Sequence, residues 1–228
     1  MAMLDPASVR LFHITAIGNL PAICKAGALV SKNGGAAAGV AYQNIAHSGA
    51  QGARAVKLAP NPPGGTMHDY VPFYFAPRSP MLSAIHNGKV NGCTLKQDDI
   101  VHIETAVGRI TGQGEAFVFY DRNATLAFST PYTDLAQLDA VAWDLLTEDP
   151  QLDGFCKYFM NRHQVERYAD RVEKRQAEFL VRDRVSLSHF TRVGVCNAAR
   201  AAEVRAILEA AGVPLPVEVK SDWYFLGQ

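Results

Sequence analysis

His13 and Thr15 stand two residues apart in an apolar run, residues 9–15, that predicts a short strand. Successive side chains of a strand point to opposite faces, so His13 and Thr15 share one face. Their neighbours Phe12 and Ile14 then point the other way, into the core. A histidine beside a threonine offers donors and acceptors suited to ribose hydroxyls or a carboxamide. The simpler interpretation of this pair alone is a histidine satisfied at a strand end.

Polar side chains also surround the Pro- and Gly-rich turn at residues 60–65. His68 and Asp69 lie between this turn and an apolar run, 71–75, and glycine lets a backbone approach a ligand closely. Capping of the loop by Asp69 is the alternative interpretation. Arg54 precedes the turn, and its forked, permanent charge suits a diphosphate as well as it suits a solvated loop position.

Glu178 stands where a charged segment, residues 164–176, meets an apolar strand. A carboxylate at a strand end can act as a general base or stabilise a developing cation, although most glutamates are simply solvated. In the charged segment, Arg167, Arg171 and Arg175 recur every four residues, which predicts one stripe of a helix. Such a stripe can contact DNA phosphates; a solvated, salt-bridged face is the alternative.

The elements that must position these residues mix strands and helices without regular βαβ alternation, which favours an α+β fold in a single domain, residues 1–228. Strands are predicted at 9–15, 71–75, 100–105, 117–120, 179–181, 192–196 and 217–225. Helices are predicted from 19 to Gly27 and at 80–87, 135–146, 164–176 and 198–211. The Gly-, Ala- and Pro-rich segment 31–66 is predicted to be a binding loop with one helix near 40–53.

Composition excludes several classes of protein. With 228 residues, 48% of them hydrophobic, the chain can form a core without disulfides, and its four cysteines show no CxxC spacing. A net charge of zero argues against a protein that coats duplex DNA. Because there is no secretory signal or membrane-spanning run, we expect a cytoplasmic protein. The motifs of Rossmann folds, P-loops and zinc proteases are absent.

The string HDYVPFYFAPRSPM, residues 68–81, closely resembles the signature of the DarT family of DNA ADP-ribosyltransferase toxins. The resemblance extends over most of the chain and keeps the order of several separate motifs. These are FHITAIGNL at 12–20, the PPGG turn, FVFYDRNA at 117–124, RQAEFLV at 175–181 and SDWYF at 221–225.

The resemblance implies a compact ADP-ribosyltransferase fold, with two small mixed or antiparallel sheets around an NAD cleft and peripheral helices. It implies that Glu178 is catalytic together with Arg54, that segment 31–66 covers NAD and guides the substrate, and that no metal takes part. The NAD contacts expected are His13, Thr15, Arg54, His68 and Tyr74. The DNA contacts expected are Tyr42, Arg78, Arg171 and Arg175.

The activity implied is transfer of ADP-ribose from NAD to a base of single-stranded DNA, and thymidine is the acceptor that we expect. The enzyme is expected to be a monomeric toxin, paired with a macrodomain antitoxin that resembles DarG. A guanosine acceptor, and RNA or protein substrates, are alternatives within the same chemistry. Two alternative functions do not involve ADP-ribose transfer. One is a metal-dependent nuclease with His13, His68, Asp69 and Glu178 in its site, and the other is a non-catalytic module that binds single-stranded DNA. Carboxylates are too few in that cluster for the hard divalent metals.

Overall fold

A computed structural model describes residues 5–147 and 161–225, which contain ten strands and eight α-helices. The strands are β1 Arg10–Ala16, β2 Ala28–Val30, β3 Tyr70–Tyr74, β4 Ile100–Ala106, β5 Phe117–Tyr120, β6 Pro131–Tyr132, β7 Glu178–Arg182, β8 Arg184–Ser186, β9 Arg192–Val195 and β10 Val217–Val219. Eight of them form a mixed sheet in the order β10-β9-β4-β1-β3-β7-β5-β6, and β2 pairs with β8 in a small second sheet. Among the strands of the described residues, only β9 and β10 pair in parallel.

The large sheet consists of two four-stranded halves that meet at one residue pair. Strand β1 pairs with β4 along its whole length, but with β3 only through Phe12 and Tyr74. Beyond that pair, the Pro72 carbonyl on β3 is hydrogen-bonded by the His13 ring rather than by the backbone of β1, and Nδ1 lies 2.8 Å from the carbonyl oxygen. The predicted α+β fold is therefore confirmed. In place of the two small sheets expected around a cleft, the structure has one large sheet, whose two halves are joined at the Phe12–Tyr74 pair, and one small sheet.

The helices are α1 Leu20–Ala26, α2 Lys32–Ala37, α3 Ser48–Val56, α4 Pro80–His86, α5 Val107–Thr111, α6 Trp143–Leu146, α7 Arg171–Lys174 and α8 Ala198–Ala210. Alternation along β1 explains how the sheet packs on both faces. Leu11 belongs to the large core cluster with α1, α5 and α8, whereas Phe12 and Ile14 belong to a second cluster with α4 and Trp223. Helix α1 ends at Gly27, whose φ of 63° is left-handed, as the sequence predicts.

Three predicted elements are shorter than expected because tertiary contacts override local patterns. In 135–146, Val141 is extended and buried, so a 3₁₀ turn, Leu135–Ala140, and α6 replace one helix. In 164–176, Asp170 has non-helical dihedrals and its carboxylate pairs with Arg122 and Lys174, which leaves only α7 and a short 3₁₀ turn. The last strand stops at Val219.

Segment 31–66 contains two helices rather than one. The GGAAAG run, expected to be loop, lies partly in α2, where the Ser31 side chain accepts from Gly34 N and so caps the helix. The second helix, α3, begins after His47, whose ring accepts from Gly49 N. None of the helices described in residues 5–147 and 161–225 is long and apolar enough to cross a membrane.

Candidate active site

Glu178 opens β7 in the middle of one half of the large sheet. Its register partners are Tyr74 on β3 and Tyr120 on β5, so these three residues form one row across the sheet. The carboxylate is 4% exposed, and both its oxygens have partners. Oε1 accepts from the backbone N–H of Ala124, 3.2 Å away, and Oε2 accepts from Arg54 Nη1, 2.7 Å away. The site therefore fixes an acidic group in a low-dielectric environment against a cation.

Arg54 reaches Glu178 from the last turn of α3, in the segment that the sequence predicts to cover the site. Its side chain is 13% exposed. The second guanidinium nitrogen, Nη2, is buried and has no hydrogen-bond partner among the described residues. A buried donor without a partner costs free energy, so this nitrogen suits an anionic ligand such as a diphosphate.

The two tyrosines that flank Glu178 are held in the protonated state. Burial, with smaller contributions from Tyr70 and from the negative charge of Glu178, raises the pKa of Tyr120 to about 12. Burial, with the same carboxylate, also raises the pKa of Tyr74. Both phenols are thus hydrogen-bond donors at neutral pH. Tyr120 is 1% exposed and serves the core, whereas Tyr74 is only partly buried beside Met81.

His13 lies at the seam between the two halves of the sheet. Burial lowers its pKa to about 4, against the smaller opposing effect of the Pro72 carbonyl. Because Nδ1 faces a carbonyl oxygen it carries the hydrogen, and Nε2 of the neutral ring then carries a lone pair. His13 also packs edge-on against Phe73, 5.8 Å between ring centroids.

Thr15 shares the face of His13, as predicted, but its hydroxyl already has a partner. The residue is buried, and Oγ1 accepts from Asn19 Nδ2 at 3.0 Å. The same amide reaches the backbone of Gln43. Thr15 therefore connects β1 to segment 31–66, and its hydroxyl hydrogen remains available to a ligand.

His68 lies near two basic side chains, Lys32 and Arg54, at the edge of the site. Its Nε2 lies 3.1 Å from Gln51 Oε1, which also accepts from Lys32 Nζ at 2.7 Å. Burial lowers the pKa of His68, and the charges of Lys32 and Arg54 lower it further. Asp69 instead caps the turn: it accepts from Thr66 N and Oγ1 and from the Asn33 amide.

Two of the four residues predicted to contact DNA have partners inside the protein instead. Arg171 and Arg175 are 5% and 3% exposed, because the stripe that placed them on a helix surface does not exist. The Arg175 guanidinium donates to the carbonyls of Leu145 and Arg78, and Arg171 lies 4.4 Å from the centroid of the Tyr168 ring. Buried in this way, neither side chain reaches a DNA phosphate.

Arg78 and Tyr42 keep some access to solvent. Arg78 follows β3 and donates from Nε to the Asp222 carbonyl at 2.8 Å. Tyr42 packs against the large core cluster and near Gly35, and burial raises the pKa of its hydroxyl.

An apolar rim, which the sequence did not indicate, borders the residues that touch Glu178. Val56 and Leu58 follow Arg54 and are 76% and 69% exposed; Phe128, in the β5–β6 loop that contains Ala124, is 60% exposed. The loop and α3 are tied together where Lys57 Nζ donates to the Leu126 carbonyl at 3.3 Å. Exposed apolar side chains that lie together often mark a binding surface.

Within residues 5–147 and 161–225, no three His, Cys, Asp or Glu side chains are grouped so as to hold a metal ion. Among the nuclease candidates, Glu178 pairs with Arg54 and Asp69 caps a turn, so two of the four residues already have structural partners. A carboxylate in an ion pair with arginine is a poor ligand for a hard cation.

A family model described as "ssDNA thymidine ADP-ribosyltransferase, DarT" matches residues 12–225. DNA ADP-ribosyl transferases from Thermus aquaticus and Escherichia coli are similar to this chain, with 32% identity over 224 residues and 30% over 233. These alignments cover 96% and 98% of this chain, and 90% and 97% of the relatives.

Solved structures agree. Thermus sp. 2.9 DarT in complex with ADP-ribosylated ssDNA has a TM-score of 0.83 and 30% identity; the same enzyme in complex with NAD+ has 0.78 and 28%. Both alignments cover 98% of this chain and 100% of the other. The fold is thus that of an NAD-dependent DNA ADP-ribosyltransferase. The chain belongs to the DarT family, which confirms the resemblance seen in its motifs.

Proposed function

We propose that this enzyme transfers ADP-ribose from NAD to thymidine in single-stranded DNA and releases nicotinamide. The bond between ribose C1′ and the nicotinamide nitrogen breaks, a bond from C1′ to a base nitrogen forms, and the proton of that nitrogen leaves. The observation that carries this proposal is the buried pair of Arg54 and Glu178 beside the seam of the sheet. The similar DarT of Thermus sp. 2.9 has been solved in complex with NAD+ and in complex with ADP-ribosylated ssDNA.

Glu178 has the position and charge for the reacting centre. Cleavage of a glycosidic bond develops positive charge on the ribose, which a fixed carboxylate stabilises. The same carboxylate can take the proton from the attacking base, an effect typically worth 10²–10⁴-fold. The Ala124 N–H and Arg54 hold its two oxygens in place before the substrate binds.

Arg54 is proposed to bind the diphosphate through Nη2 while Nη1 holds Glu178. His13 Nε2 is proposed to accept a hydrogen bond from a ribose hydroxyl or from the carboxamide of NAD. The Thr15 hydroxyl is proposed to donate a hydrogen bond to NAD. Tyr74, protonated and next to Glu178 in the row, is a donor for the nicotinamide end. His68 is proposed to contact NAD from the rim, where cations gather.

The acceptor strand is proposed to cross the apolar rim, with Tyr42 and Arg78 as further contacts. An acceptor base must leave its stack to reach a buried pair, which favours single strands. Val56, Leu58 and Phe128 offer flanking bases apolar surface, and stacking on an aromatic ring is worth about 1–3 kcal/mol per base. Arg122 lies over the Phe128 ring, with Cζ 5.4 Å from its centroid, and so holds that ring at the rim.

The remaining biological context follows from the family. We propose that residues 1–228 act as a single-domain, monomeric toxin in the cytoplasm, and that a macrodomain antitoxin resembling DarG counteracts it. The large sheet, continuous through both halves, supports a single domain.

Mass spectrometry of short single-stranded oligonucleotides, incubated with enzyme and NAD, tests the proposal. The oligonucleotides vary thymine and guanine one position at a time. We expect the mass of one ADP-ribose unit to be gained only where thymine is present. A gain that follows guanine would overturn the acceptor and keep the reaction; intact NAD and unmodified DNA throughout would overturn the reaction.

A further inference from the structure

Helix α3, which carries Arg54, packs no apolar face into the core. None of the nine residues of α3 is fully buried. Packing of an apolar face usually holds a short helix in place, so α3 depends on its attachments instead. At its C-terminal end, Met67 N donates to the Lys57 carbonyl at 3.0 Å, and Leu58 bridges to Thr66.

At the other end, Asn19 attaches the chain that leads into α3. Its Nδ2 donates to the Gln43 carbonyl at 3.0 Å and its Oδ1 accepts from Gln43 N at 2.7 Å. One side-chain amide thus satisfies both polar groups of a single residue's backbone, in the manner of a strand pair. Asn19 is 4% exposed, so these bonds are protected from water.

Asn19 does this at the expense of its local role. The residue precedes α1 at the N-cap position, where asparagine ordinarily accepts from the first turn of its own helix. Here its side chain makes no capping bond to α1. The amide instead joins Gln43 to Thr15 Oγ1 on β1. The strand that presents His13 and the chain leading to Arg54 therefore share one hydrogen-bonded residue.

The chain from Gln43 to Arg54 is short and has two points of attachment. Ile45 is buried against the cluster that contains Phe12, and His47 then caps α3. We propose that Asn19 is a positioning residue, which places Arg54 against Glu178 by clamping the backbone of Gln43 to β1. This inference rests on the catalytic role proposed above for Arg54.

Two control variants separate the clamp from ordinary loss of stability. Gln43→Ala removes an exposed side chain and leaves the clamped backbone groups intact. Gln97→Ala breaks a clamp of the same kind elsewhere: Gln97 is buried, donates to the Phe225 carbonyl at 3.0 Å and accepts from Phe225 N at 2.8 Å. Gln97 is thus matched to Asn19 in chemistry and burial, but not in position.

The experiment compares Asn19→Ala with both controls by transfer rate at saturating NAD and by hydrogen exchange. We expect Asn19→Ala to lower kcat by about 10- to 100-fold, since small misplacement of a catalytic group has effects of that size. Amides in residues 43–56 should exchange faster, while those of the sheet should not. Gln43→Ala should match the parent, and Gln97→Ala should lower the Tm with little change in kcat.

A cycle of variants shows whether Asn19 acts through Arg54. If it does, Asn19→Ala costs little further activity in an Arg54→Ala background, because the group it positions is gone. An equal loss in both backgrounds, or unchanged exchange in 43–56, would overturn the clamp. Full activity of Arg54→Ala would overturn the proposed role of Arg54 itself. Loss in Arg54→Ala with parental activity in Asn19→Ala would overturn only the inference about Asn19.

Discussion

Arg54 Nη1 and Glu178 Oε2 lie 2.7 Å apart although 124 residues of chain separate the two side chains. One comes from an exposed helix and the other from β7, an inner strand of the large sheet. Each charge is buried, so each depends on the other to remain there, and removal of one partner leaves the second uncompensated. The pair therefore links the placement of segment 31–66 to the electrostatics of the reacting centre.

Glu178→Gln should abolish transfer while the fold is retained. Glutamine keeps the volume of the side chain and an oxygen that can accept from Ala124 N, but it loses the charge and the basicity. We expect a loss of at least about 10²-fold in the rate of oligonucleotide modification. Mass spectrometry gives the rate, and circular dichroism checks the fold. Modification near the parental rate would remove Glu178 from the mechanism.

Arg54→Ala should weaken NAD binding and transfer together, and Arg54→Lys should recover only part of each. Lysine supplies a point charge but not the fork that holds Glu178 with one nitrogen and an anion with the other. Calorimetric titration with NAD and the modification assay measure the two effects. Arg109→Ala is the control, since its guanidinium contacts only the carbonyls of Ser188 and His189 among the hydrogen bonds described. Equal effects at both positions would refute the assignment.

Acid should destabilise the protein between pH 6.5 and about 4. Burial lowers the pKa of His102 to about 4, against a smaller opposing effect of the Pro77 carbonyl. As pH falls below 6.5 the unfolded chain binds a proton that the folded chain refuses, so the free energy of unfolding falls by about 1.4 kcal/mol per pH unit for this group. His102→Phe should flatten the fall of Tm between pH 6.5 and 5. An unchanged slope would contradict this account.

Phe128→Ser should raise the KM for DNA and leave the KM for NAD unchanged. Loss of one stacked base costs about 1–3 kcal/mol, which corresponds to roughly 5- to 150-fold. Val219→Ser, an exposed apolar residue on β10 at the edge of the other half of the sheet, is the control and should have the parental KM. A parental KM for Phe128→Ser would show that the strand does not cross this part of the rim.

Strand periodicity predicted where His13, Thr15 and Glu178 lie on their strands. The alternation along β1 placed His13 and Thr15 on one face and Phe12 on the other, and the structure agrees. Glu178 was expected at a strand end, and it opens β7. Such patterns succeed because strand faces are set by local geometry and by burial of the apolar side.

Local sequence patterns could not predict contacts between segments that are distant in the chain. The charge stripe of 164–176 resembled a solvated helix, yet Arg175 binds the carbonyls of Leu145 and Arg78, which come from elsewhere in the chain. Asn19 stands at the N-cap position of α1, yet its amide binds the backbone of Gln43 instead of the first turn of that helix. A sequence shows which groups can donate or accept; tertiary packing decides which partner each one receives.

The seam between β1 and β3 has a mechanical consequence. Only Phe12 and Tyr74 pair there, and a side chain, His13, fills the next position in place of backbone. A wedge driven between the halves would break few main-chain hydrogen bonds, whereas one driven into any neighbouring ladder would break several. The β1–β3 seam is therefore the place where the fewest main-chain pairs join neighbouring strands of the large sheet.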